Sequence, residues 1–137
     1  MALYNIFDIA GSAMTAQSVR LNTVASNLAN ADDVTGDAKS AYRARQPVFS
    51  AELQNAQGNP GQVGVQVDRI QESQAPVGRR YEPGNPLADK SGYVYTSNVN
   101  AVEQMADMIS ASRSYQNNVN VLTTTQRLLR NTLQLGK

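Results

Sequence analysis

The twelve residues Ala25-Ser26-Asn27-Leu28-Ala29-Asn30-Ala31-Asp32-Asp33-Val34-Thr35-Gly36 mark where the chain changes character. Asparagine amides compete with the main chain for hydrogen bonds, so Asn27 and Asn30 suit the last turn of a helix. Gly36 permits a left-handed turn beyond it. Upstream, residues 1–31 contain no proline and one glycine, Gly11. Downstream, all five prolines and seven of the nine glycines fall between residues 32 and 98. Residues 99–137 again lack proline and hold only Gly136. Two helix-compatible ends therefore enclose a turn-rich middle.

Both ends carry a heptad. Steps of four and three from Leu3 reach Phe7, Ala10, Met14, Gln17, Leu21, Val24, Leu28 and Ala31. The same steps from Ala101 reach Met105, Met108, Ser112, Tyr115, Val119, Leu122, Gln126, Leu129 and Leu133. A 3.5-residue apolar period held over four heptads predicts two long helices that pair as a coiled coil. The fold class is mainly α with a small β-rich middle. It divides into an N-terminal helix over 1–31, a middle module over 32–98 and a C-terminal helix over 99–137.

The outer faces of these helices are unusual. In residues 1–31 the charged side chains are Asp8 and Arg20 alone, and the other polar positions are Ser, Thr, Asn and Gln. Across the chain, 13 Asn and 12 Gln outnumber the 23 charged residues. Short neutral groups cost little to desolvate when they find partners, so such faces suit contact with other protein. A lone helix with one narrow apolar stripe buries too little to offset its ordering entropy. The ends are therefore expected to be frayed in the free monomer and to order on assembly.

The middle reads as strands and turns. Tyr42–Leu53 has an extended pattern broken by Pro47, and Val63, Val65 and Val67 alternate with Gly64, Gln66 and Asp68, with Ile70 out of phase. Gly92-Tyr93-Val94-Tyr95-Thr96 is a further short strand, and Asn59-Pro60-Gly61 and Pro83-Gly84-Asn85-Pro86 are turns.

Chemistry is sparse. The chain has 137 residues and a formal charge of +1, with no Cys and no His. That excludes disulfides, thiol or imidazole catalysis, Cys/His zinc sites and a bulk electrostatic footprint for nucleic acid. Asp32, Asp33 and Asp37 lack the spacing and closing glutamate of a calcium loop and read as a solvated helix-end turn. Gly61-Gln62-Val63-Gly64 is too short for a phosphate loop. Arg43-Ala44-Arg45 and Arg79-Arg80-Tyr81 read as interface or surface ion-pair groups. Neither an enzyme nor a cofactor is expected. No stretch approaches the ~20 apolar residues a membrane span needs, and the first residues lack the basic start of a secretory leader.

The run from Asn27 to Gly36, followed by Tyr42-Arg43, resembles the rod motif of bacterial flagellar axial proteins. Pro83 to Tyr93 with Ser97-Asn98-Val99-Asn100 is similar to the entry to that family's C-terminal helix. Met105, Met108-Ile109, Arg113-Ser114-Tyr115 and Asn117-Asn118 look like its body. The family's pattern has His where this chain has Asn85. The extended spacer Asp37–Ala41 and the short length match the proximal rod members. The resemblance implies a structural subunit that polymerises through its terminal helices into a helical tube, transmitting torque and forming the export channel. Implied partners are other copies, other rod subunits, the rod's base adaptor protein and the flagellar type III export apparatus. The implied location is the periplasm-spanning rod of the basal body, reached without a cleaved leader. The expected rod-motif residues are Asn27, Leu28, Ala29, Asn30, Thr35, Gly36 and Tyr42. The expected assembly seam is Leu3, Phe7, Met14, Leu21, Val24 and Leu28 with Met105, Met108, Tyr115, Val119, Leu122, Leu129 and Leu133. Another subunit of the same family, or a secreted helical adaptor, are the alternatives.

Overall fold

The computed structural model describes residues 2–53 and 63–135. The turn expected at Asn59-Pro60-Gly61 lies outside the described residues. Helix α1 spans Ala2–Ala29 and helix α2 spans Ala101–Leu135. At 1.5 Å per residue they are roughly 42 and 53 Å long. They run antiparallel, because Asn27 meets Gln104 while Arg20 meets Asp107. Five strands lie between them: β1 (Val34–Thr35), β2 (Arg45–Leu53), β3 (Val63–Glu72), β4 (Gly78–Tyr81) and β5 (Tyr93–Thr96). They form an antiparallel β2–β3 ribbon and a three-stranded sheet ordered β1-β5-β4. Among the described residues no helix is long and apolar enough to cross a membrane.

Pro47 does not break its strand. The bond from Ser73 N–H to the Ala44 carbonyl sets the ladder's parity, and Pro47 then faces away from β3. A missing N–H costs nothing on that outer edge. The phase change at Ile70 also has a local cause. Val48 pairs Arg69 and Phe49 pairs Val67, so Asp68 is an extra residue forming a bulge. One inserted residue restores the face: Pro47, Phe49, Ala51 and Leu53 stand opposite Ile70, Val67, Val65 and Val63.

Helix α1 is packed by α2 and by both strands of the ribbon. At the ribbon, Ser12 Oγ accepts the Val65 N–H at 3.1 Å. The expectation that α1 offers a single narrow stripe is thus too sparse. Among the described helices and strands, α2 in contrast packs on α1 alone. The core is small-residue rich: Val94 and Ala111 are fully buried, with Ala10, Ala16, Val24, Ala41 and Ala44 close behind.

Candidate functional site

The junction between α1, the ribbon and α2 is built around Asn27, which is 1% exposed. Its Nδ2 donates to the Arg45 carbonyl and to Gln104 Oε1, each at 2.8 Å. Its Oδ1 accepts the Arg45 N–H at 2.8 Å and the Tyr42 hydroxyl at 3.0 Å. Both donors and both lone pairs are used. The amide bonds the main chain of Arg45 at two points, as a neighbouring strand would, and so starts β2 from the last turn of a helix. With the Tyr42 proton committed to Asn27, Ser26 Oγ donates to the Tyr42 oxygen at 3.2 Å. The Arg45 guanidinium lies 5.6 Å from the Tyr42 ring centre.

The other rod-motif residues close the helix. Asn30 Nδ2 donates to the Ser26 carbonyl at 2.7 Å, as expected of an amide at a helix end. Thr35 Oγ1 donates to the Asp37 carbonyl, and Thr35 pairs with Tyr95 in the sheet. Leu28 is half-buried and Ala29 exposed. Gly36 corrects the reading made of it. The one described glycine with positive φ is Gly92, at 78°. A Cβ on Gly36 would sit 2.6 Å from the Leu87 carbonyl oxygen, so close backbone approach is what requires glycine there.

A second set of polar groups was not singled out in the sequence by role. Ser97 Oγ donates to the Ala31 carbonyl at 2.6 Å, tying the entry of α2 to the exit of α1. Asn98 Oδ1 accepts the Ala44 N–H while its Nδ2 donates to the Ala75 carbonyl. Asn100 Oδ1 accepts the N–H groups of Val102 and Glu103, capping α2. The signal was the Ser97-Asn98-Val99-Asn100 cluster beside an apolar period. Gln104 carried no such signal, since it sits on a position that reads as ordinary helix surface.

The loop from β4 to β5 is held by carboxylates. Asp89 Oδ1 accepts the N–H groups of Tyr93 and Ser91. The Tyr93 N–H holds the Asp89 carboxyl below the usual aspartate range, with Ser91 and the nearby Arg79 assisting against a desolvation penalty. Glu82 is lowered first by the Asn85 amide and then by Arg80, 2.6 Å away. Asn85 therefore anchors its own turn, its Oδ1 also accepting the Leu87 N–H. The Arg79 guanidinium lies 3.6 Å from the centre of the Tyr93 ring. Among the described residues no group of three or more acidic side chains is arranged to hold a metal ion.

Along the helices, the α1 positions fall together. Phe7, Met14, Leu21 and Leu28 are half-buried and Val24 is buried. The side chain of Leu3 lies outside the described residues. Helix α2 divides the expected set. The positions shielded by α1 are Ala101, Gln104, Met108, Ala111, Tyr115, Asn118, Leu122, Thr125 and Leu129, none of them exposed. Met108, Tyr115, Leu122 and Leu129 belong to that stripe. Met105, Val119 and Leu133 do not: they stand one residue out of phase and are exposed. The physical reason is size. The stripe alternates large residues with Gln, Ala, Asn and Thr, whose small or amide side chains let the helices approach, and a hydropathy count passes over them.

Comparison with known proteins gives two family matches. Residues 7–36 match the family described as "Flagella basal body rod protein". Residues 90–135 match "Flagellar basal body rod FlgEFG protein C-terminal". Among curated relatives, the flagellar basal-body rod protein FlgC of Escherichia coli O6:H1 is 57% identical over the whole of both chains. The protein of that name from Salmonella typhimurium LT2 is 55% identical over the whole of both. That from Aquifex aeolicus is 39% identical over all of this chain and 99% of its own.

Proposed function

The chain belongs to the flagellar basal-body rod protein family, and on that premise we propose that it is a structural subunit of the rod, polymerising through α1 and α2. The observation that carries this reading is the one-sided packing of α2. Among the described elements this 35-residue helix packs on α1 alone, and it leaves Val102, Met105, Ile109 and Leu133 exposed on one side of that contact and Val121 and Leu128 on the other. An isolated soluble domain rarely leaves so much large apolar side chain to water along one helix. In a tube of like subunits both sides are buried.

In this reading residues 1–31 and 99–137 form the axial core, where the helices pair as a coiled coil, and residues 32–98 face outward. The Asn27 junction fixes the angle between the two parts. Other rod subunits are the partners, with the base adaptor protein below and the type III export apparatus as the route of delivery. The position is the proximal rod, in the periplasm-spanning part of the basal body. Torque transmission and a central export path follow from a tube of packed helices. The role needs no catalysis.

The test uses Leu21→Ala and Leu122→Ala, both on the stripe between the helices. Both leucines are half-buried in the single chain, so truncation is expected to cost toward the lower end of the about 2–5 kcal/mol typical of a fully buried leucine, and the loss recurs in every subunit. Secretion into the periplasm is expected to be near normal while the variants are missing from purified basal bodies and cells lose motility. Normal incorporation of either variant would contradict the reading.

A further inference from the structure

We propose that Gln17 is a release point built into the helix pair. It lets residues 108–135 of α2 part from α1 while the Asn27 junction stays closed, the first step in drawing the chain out of its fold for delivery. This rests on the rod reading and on its route through the export apparatus.

An orphaned oxygen is the first observation. Gln17 is the one polar step in the α1 heptad between Phe7 and Leu28. The Asn27–Gln104 and Arg20–Asp107 contacts set it opposite the turn of α2 around Ala111, which is fully buried. Its Oε1 is enclosed there and meets no donor among the described residues. The buried amides of Asn27 and Gln104 differ, since they bond each other. A buried carbonyl oxygen without a donor has given up its water for nothing, and the folded state carries the penalty. When α2 moves off, the oxygen regains water. The orphan therefore favours opening by the size of its own penalty.

Position makes that opening local. Among the described residues the side-chain hydrogen bonds joining α1 to α2 are Asn27–Gln104 and Arg20–Asp107, and both lie on the junction side of Gln17. Beyond it no such bond ties the described parts of the two helices. A groove of about 450 Å³ opens there between Gly11 and Met14 of α1 and Tyr115 and Leu122 of α2. Helix α1 keeps a second support in this stretch, the ribbon, through the Ser12–Val65 bond. Helix α2 has none among the described helices and strands, so it is the helix that leaves. Proteins open in cooperative units bounded where the fastening changes, and Gln17 stands at that boundary.

Gln17→Met keeps the length and helix propensity of glutamine and removes the amide. Gln17→Leu removes it with a second apolar shape, so a poor fit of one side chain does not decide the result. In the dilute full-length chain, amide exchange of residues 111–118 is expected to slow about tenfold in the better-fitting variant, the scale of one orphaned group. Exchange of residues 104–107, beside the junction, should stay at the wild-type rate. No slowing in either variant, or equal slowing at both places, would overturn the release point. In cells the slowed variant is expected to reach the periplasm more slowly than wild type and, once there, to enter basal bodies normally. Secretion at the wild-type rate despite slowed exchange would overturn the link to delivery. Absence of the wild-type chain from basal bodies would instead sink the rod reading itself.

Discussion

Asn27 joins three elements with one side chain, and its removal is a residue-scale experiment. Asn27→Ala would leave Gln104 Oε1 without this partner in a buried place, and the Arg45 N–H and carbonyl without theirs in a part-buried one. Each orphaned group costs about 1–3 kcal/mol, so the variant is expected to lose of the order of 3 kcal/mol of stability, read by urea unfolding. A loss below about 1 kcal/mol would show that the junction does not depend on this amide. The sequence made Asn27 visible as a helix-ending residue. It could not disclose the two-point pairing with Arg45, because that depends on where the chain returns 18 residues later. Gly36 teaches the same lesson from the other side. Its need for glycine was legible, but the cause is the Leu87 carbonyl, a contact distant in sequence.

At the scale of elements, the β4–β5 loop carries a pH dependence. Asp89 and Glu82 have folded-state pKa values below their ordinary ones. Their stabilisation is therefore fully present above the unfolded values, about 3.9 for Asp and 4.3 for Glu. It is lost as pH falls through the lower folded values. Carboxyl NMR titration should show both groups protonating below the ordinary range. Amide signals of residues 89–93 should shift in the same acid window and be insensitive between pH 6 and 8. A midpoint at or above the ordinary range for Asp89 would contradict the hydrogen-bonded loop. The two helices and strands β2, β3 and β5 were legible, because proline and glycine punctuate the chain, whereas β1 and β4 are too short to show a pattern and were not read from the sequence. The β2–β3 ribbon hid two features: a proline tolerated on an outer edge, and a bulge at Asp68 that explains Ile70. Of the α2 positions expected on the assembly seam, Met108, Tyr115, Leu122 and Leu129 are shielded within the single chain while Met105, Val119 and Leu133 are exposed, because Gln104, Ala111, Asn118 and Thr125, which a hydropathy count passes over, take the intervening places.

For the whole molecule, the distribution of burial has a functional consequence. Helix α1 is braced by α2 and the ribbon, whereas α2 is supported on one side and exposes most of its length. The expected fraying of the free chain is thereby narrowed to α2, above all its second half. The Arg20–Asp107 pair adds little there, since both side chains are partly exposed, 27% and 39%, and solvent screens them. In the proposed assembly the exposed side chains of α2 gain partners from other subunits, which would couple ordering to polymerisation. Amide hydrogen exchange along α2, in the dilute monomer and in purified rods, tests this most directly. The account predicts fast exchange over residues 119–135 in the monomer and strong protection of the same amides in the rod. Equal protection in both, at monomer concentrations where no association is detected, would contradict it.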